Sequence, residues 1–170
     1  MTTIVFSHPS SAEHDTGPGH PERPDRIRAV LKVLDGEEFS GLTRREAPAA
    51  EIAQIARVHP DGYAERLLAA APVEGTVRID PDTVMSPESG EAALRAAGAL
   101  IGAVDAVVSG EAENAFCAIR PPGHHAEPTH GMGFCLFNNV AIAAAHARAE
   151  HGLEKIAVVD FDVHHGNGTQ

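Results

Sequence analysis

Tryptophan is absent from this chain, and aromatic residues make up only 4% of it, so aliphatic side chains must fill any core. There are two cysteines, Cys117 and Cys135, with no C-x-x-C pair. That excludes a disulfide scaffold and a cysteine-based zinc module. Basic residues are also scarce, 13 against 24 acidic, for a net charge of -11. A nucleic-acid partner needs a basic face, so direct nucleic-acid binding is not expected. No apolar run is long enough for a membrane helix, so no membrane partner is expected. The first residues lead straight into a His/Pro/Gly-rich loop rather than a signal peptide, which makes a reducing cytoplasm the default location.

What is present is ordinary for a globular chain: 170 residues, 43% apolar and 22% charged. The length suits a single domain over 1–170. Residues 3–6 read as a short strand. A loop rich in Gly, Pro and His follows to Pro24, which suits the first turn of a helix. Ile27, Val30, Leu31 and Leu34 give that helix an apolar stripe. Shorter helices are expected over 49–56 and from after Pro60 to about 71. Residues 77–79 read as a strand or an extended connection. Residues 88–108 form a long Ala-rich helix, with Leu94, Leu100, Ile101, Val104 and Val108 on its expected buried side. A strand at 114–119, a helix at 137–150 ended by Gly152, and a last strand at 156–160 complete the reading. Strands alternating with helices predict an α/β fold with a parallel sheet. In such sheets the chemistry sits at the carboxyl ends of the strands.

Two histidine clusters begin where expected strands end. After the last strand come Asp160, Asp162 and His164, which share a face if the strand continues. Two carboxylates and an imidazole converging make a metal site or a charge-relay site. Zinc accepts both donor types. Upstream lie His124 and His125. Adjacent side chains diverge, so the pair suits two distinct roles: one ring taking a proton, the other stabilising charge. Pro121, Pro122 and Gly123 stiffen that loop. Gly133 and Phe134 fit the wall of a narrow apolar channel, whereas Phe137 reads as core. The segment around Glu22 and Asp25 reads, by composition alone, as a solvated loop leading into a helix.

The ordered series GHPERPDRI (19–27), RPPGHHA (120–126), GMGFCLFNNVA (131–141) and VVDFDVHHGNGTQ (158–170) resembles the histone deacetylase superfamily, in its class II-like and bacterial amidohydrolase branch. The resemblance spans nearly the whole chain. It implies an arginase/deacetylase-like fold, a parallel sheet flanked by helices, here truncated on its C-terminal side. It implies Zn²⁺-dependent amide hydrolysis, with Asp162 and His164 as zinc ligands. His125 is then the general base and His124 its electrostatic partner, with Asp160 and Asn167 behind them. Gly133 and Phe134 become the substrate-channel wall, and Arg26 faces an internal cavity. Asp82 is a candidate rim residue. K⁺ is an expected structural ion near Asp160, Asp162 and His164. The implied substrate is acetyl-lysine of a protein, with acetylpolyamines or other small acylated amines as the alternative. A third reading is an inactive truncated domain that only binds. An arginase-like Mn²⁺ centre is disfavoured, because it needs more carboxylates. The family's third ligand and its tyrosine have no counterpart here, and Tyr63 is a poor substitute, so weak metal binding and little turnover are expected of these residues alone. The sequence leaves a homo-oligomer open.

Overall fold

The computed structural model describes residues 2–60 and 62–170. Asp61, at the expected start of the helix after Pro60, lies outside them. The chain forms an α/β unit around a three-stranded parallel sheet. β1 (Thr3–Ser7) lies between β2 (Thr43–Glu46) and β5 (Asn114–Ala118). Ile4, Val5 and Phe6 are buried, because helices cover both faces of the central strand. β3 (Val77–Asp80) and β4 (Thr83–Met85) form a separate antiparallel hairpin.

The helices are α1 (Ser10–Glu13), α2 (Pro24–Leu34), α3 (Ile52–Ile55), α4 (Tyr63–Ala69), α5 (Ser89–Val108) and α6 (Asn139–His151). In α2, Ile27 and Leu34 are buried as expected, but Val30 turns partly to solvent. The helix expected over 49–56 shortens to the single turn of α3, opened by a capping box between Glu51 and Gln54. The buried side of α5 is not its large residues. Ala92, Ala93, Ala96, Ala97 and Ala99 are buried along with Ile101, whereas Val108 is exposed. Small side chains let this helix pack closely. A Cβ on Gly98 would lie 2.0 Å from the Pro48 carbonyl oxygen. α6 begins with the Asn138 side chain accepting from Ala141 N–H and ends at Gly152, which is left-handed at φ 66°.

The strand expected at 156–160 does not form. The chain there pairs with no strand among the described residues, and Val159 is 83% exposed. Its apolar composition fits a buried strand, but a strand exists only through its neighbours' hydrogen bonds. Val158 and Val159 instead line a cleft of about 550 Å³ between this segment, the end of β5 and the α6 start.

Candidate active site

The loop leaving β5 is fixed by a buried ion pair. Arg120 Nε donates to Glu22 Oε1 (2.5 Å) and Nη2 to Oε2 (2.7 Å), while Nη1 reaches the Ser11 carbonyl. Glu22 is 1% exposed. This corrects the reading of Glu22 as part of a solvated loop: a buried carboxylate needs a paired cation, and Arg120 supplies a fork that matches it. Buried His14 lies beside the pair, its Nε2 3.8 Å from Glu22 Oε2 and its Nδ1 2.6 Å from Ser89 Oγ. Burial, followed by the Arg120 charge, pushes the His14 pKa down to about 4. His59 secures the other end of the loop. Asn138 N–H donates to its Nε2 at 2.9 Å, so its Nδ1 carries the proton and donates to the Pro128 carbonyl at 3.1 Å.

The His124 and His125 rings sit 4.0 Å apart, centre to centre, and each has a different partner. His124 Nδ1 lies 2.9 Å from Asp160 Oδ2. His125 Nδ1 lies 2.7 Å from Asn167 Oδ1. The Asn167 amide is oriented by Glu127, whose carboxylate can only accept, and does so from Nδ2 at 2.9 Å. Oδ1 therefore faces His125, whose Nδ1 carries the hydrogen and whose Nε2 keeps a free lone pair. Gly133 lets the His125 ring lie against backbone, since a Cβ there would stand 2.5 Å from His125 Cδ2. Phe134 follows with φ 69°, unusual for a bulky residue, and its N–H is tied to Thr83 Oγ1 at 3.0 Å. The His20 ring meets Phe134 edge-on at 4.9 Å.

The terminal segment replaces a strand with a chain of local turns. Asp162 N–H donates to Asp160 Oδ1 (3.1 Å), and His164 N–H donates to Asp162 Oδ1 (2.8 Å). The hydrogen bond from the His124 ring, first of all, holds the Asp160 carboxyl below the usual carboxylate range. The His164 backbone and ring do the same for Asp162. Asp162 Oδ1 and His164 Nδ1 are 3.0 Å apart. One oxygen and one nitrogen at that separation fit two corners of a zinc site, where ligands stand about 2.0–2.2 Å from the ion. The turn after them docks onto the loop, with Gly168 N–H donating to the His124 carbonyl (2.9 Å).

His124, His125, Gly133, Phe134, Asp162, His164, Asp82 and Arg26 all line one cavity of about 490 Å³. Asp160 and Asn167 stand behind the rings rather than on that wall. Arg26 also lines a second cavity of about 260 Å³, with Glu22 and Arg120, although its own side chain is largely exposed. Tyr63 is in the core, donating to the Leu136 carbonyl at 2.9 Å, and burial pushes its pKa up to about 12. Burial also pushes both cysteine thiols up to about 12.

Residues 20–170 match the histone deacetylase domain model. The chain belongs to the histone deacetylase family. It is 47% identical over 156 residues to the histone deacetylase-like amidohydrolase of Pseudomonas aeruginosa, covering 89% of this chain and 40% of that one. A probable deacetylase of Archaeoglobus fulgidus is 40% identical, covering 100% of this chain and 47% of the relative. The crystal structure of the HDA15 HD domain superposes with a TM-score of 0.93 at 34% identity, over 99% of this chain and 49% of that one. The α/β deacetylase fold expected from the motifs is therefore the fold found. The chain spans about half the length of the curated relatives it matches. No helix among the described residues is long and apolar enough to cross a membrane.

Glu22 and His59 carry no local signal of their roles, because their partners are distant in sequence. The same holds for a second cluster, Asp105, His146 and His151, whose ligand-type atoms lie within 4.8 Å of one another. It sits on α5 and α6, away from the cavity.

Proposed function

We propose that this polypeptide forms the histidine-pair half of a zinc-dependent amidohydrolase that removes acetyl groups from acetyl-lysine. One observation carries the reading: two neighbouring imidazoles open onto the same cavity as Asp162 and His164, and one is backed by a carboxylate, the other by a neutral amide. Asp162 and His164 would hold the ion. Catalytic zinc sites use three protein ligands, so in this reading the third comes from polypeptide outside these residues. When bound, zinc supplies Lewis-acid polarisation of the scissile carbonyl and an acidified water.

The chain's own residues divide the remaining work. His125 has its free Nε2 towards the cavity and takes a proton as general base. Asn167 fixes its tautomer without adding charge. His124 faces Asp160, whose negative charge can balance a positive ring. His124 therefore suits the stabilisation of developing negative charge, or delivery of a proton to the departing amine. Gly133 and Phe134 wall the path for an extended aliphatic arm. The side-chain amide C–N bond breaks, and acetate and a protonated lysine leave.

The test is acetate release from an acetyl-lysine peptide by the longest natural polypeptide carrying this sequence, with and without added Zn²⁺, and by its His125→Ala variant. Zinc-dependent turnover that falls by about 10²–10⁴ in the variant supports the assignment. Equal turnover by wild type and variant would sink it. Turnover of acetylputrescine alone would keep the chemistry and move the substrate to small acylated amines.

A further inference from the structure

We propose that Asp105, His146 and His151 form a second divalent-metal site, of zinc type, between α5 and the C-terminal half of α6, apart from the candidate active site. Asp105 lies in the last turn of α5. His146 and His151 lie in the last turns of α6. α6 starts beside the histidine-pair loop, and its 13 residues put its far end on the order of 18 Å away. The two sites are therefore separate.

Three features converge. First, His146 Nε2 and His151 Nε2 each lie 2.7 Å from the same oxygen, Asp105 Oδ1. Two imidazole nitrogens thus converge on one carboxylate oxygen, with all three ligand-type atoms within 4.8 Å of one another. Tetrahedral zinc at about 2.0–2.2 Å from each ligand separates them by roughly 3.3 Å, so small side-chain shifts complete the tripod. Second, the ligands stand on two long helices and differ in exposure. His146 is buried and fixed by packing, while Asp105 and His151 are half-exposed and border a cleft of about 470 Å³. A fourth position is thereby open to water. Third, both helices end here, and the partial negative charge of helix C-termini favours a cation.

Arg57 sets the tautomer that a metal must overcome. Its Nη1 donates to His146 Nδ1 at 3.2 Å, which leaves the ring hydrogen on Nε2. A metal at Nε2 moves that hydrogen to Nδ1, with no net proton lost from the ring. Arg57 then gives up this contact and keeps its other partner, Glu150. It acts as a brake on affinity.

The experiment uses the tag-free, metal-stripped chain carrying Asp162→Asn and His164→Ala, which silence the candidate catalytic ligands. Co²⁺ is titrated, with the tetrahedral visible absorption and calorimetric stoichiometry as readouts. The expected result is one equivalent bound, with affinity reduced at least about 100-fold by a further His151→Ala or Asp105→Asn. That lies at or beyond the upper end of the roughly 10–100-fold cost of losing a mere supporting partner. His151 is at a helix end, so its variant keeps the fold, which circular dichroism verifies. Arg57→Gln offers an acceptor to Nδ1–H and tightens binding by about tenfold. No stoichiometric Co²⁺ in the silenced chain, or binding unchanged by both His151→Ala and Asp105→Asn, would overturn the proposal.

Discussion

The two halves of the candidate active site are built to different standards. The loop carrying His124 and His125 is anchored at one end by the buried Glu22–Arg120 pair and at the other by His59 and Asn138. The segment carrying Asp160, Asp162 and His164 has no strand partner among the described residues, and its apolar side chains face outward, Phe161 at 95% exposure. Side-chain and turn contacts hold it, among them Asp160 on His124, Asn167 on His125 and Glu127, Gly168 N–H on the His124 carbonyl, and Thr169 on Asn138. The histidine-pair half is therefore preorganised by the core. The half that carries Asp162 and His164 borrows its position from the first. Breaking the anchors of the loop should cost global stability, whereas trimming the segment should not.

Glu22→Ala tests the stronger half and should have the largest effect. It leaves the Arg120 guanidinium buried without its carboxylate, and loss of one partner of a buried pair costs about 3–5 kcal/mol. Urea unfolding should show a much lower midpoint at unchanged slope. An effect under about 1 kcal/mol would mean that water reaches Arg120 and that the loop is not anchored as described.

Acid should act on the same anchor. His14 is buried beside Glu22 and Arg120, and also interacts with His20 and Asp15; its pKa falls from 6.5 to about 4 on folding. Between these values the unfolded chain binds a proton that the folded chain does not. Stability is therefore full above about pH 6.5 and declines as pH falls towards 4, by on the order of 3 kcal/mol. The lowered pKa of buried His59 adds a decline of the same sign. His14→Gln should flatten the unfolding midpoint between pH 7 and 4.5, and an unchanged slope would remove His14 as its cause. Asn138→Ala comes next, at about 1 kcal/mol, since it deletes the cap that opens α6.

The sequence motifs picked out the residues that share the cavity better than those that support them, for a physical reason. His124, His125, Asp162 and His164 sit in short, dense, chemically unusual runs, and the cavity they share is reached through local backbone geometry. Glu22 and Arg120 are paired across the fold, and nothing near Glu22 in sequence says that it is buried. β2 is not legible in sequence because its residues, Thr-Arg-Arg-Glu, have no apolar alternation; it pairs with β1 as a largely exposed edge strand. β4 leaves little sequence signal because it is three residues long and follows a tight Pro81-Asp82 turn. In α5 the large aliphatics attracted the assignment, while close packing selected the alanines. The expected strand at 156–160 shows the same limit from the other side: its composition is that of a buried strand, but burial is a property of its neighbours.

That last contrast yields the smallest and sharpest prediction. Phe161→Ala removes a whole aromatic side chain, yet in this chain it should change unfolding free energy by less than about 0.5 kcal/mol, as for a surface position. Phe137→Ala, the same deletion in a side chain that is 1% exposed, should cost about 3–5 kcal/mol. Limited proteolysis should likewise cut within residues 153–163 before it cuts the 120–139 loop, because cleavage follows local opening. A cost at Phe161 above about 1 kcal/mol would show that the segment is covered in solution, by a second copy or by further polypeptide. Dependence of that cost on protein concentration would separate the two. In a longer polypeptide that packs against this segment, the cost at Phe161 should rise towards that at Phe137. The rise would measure how far the segment carrying Asp162 and His164 gains the rigidity that the histidine half already has.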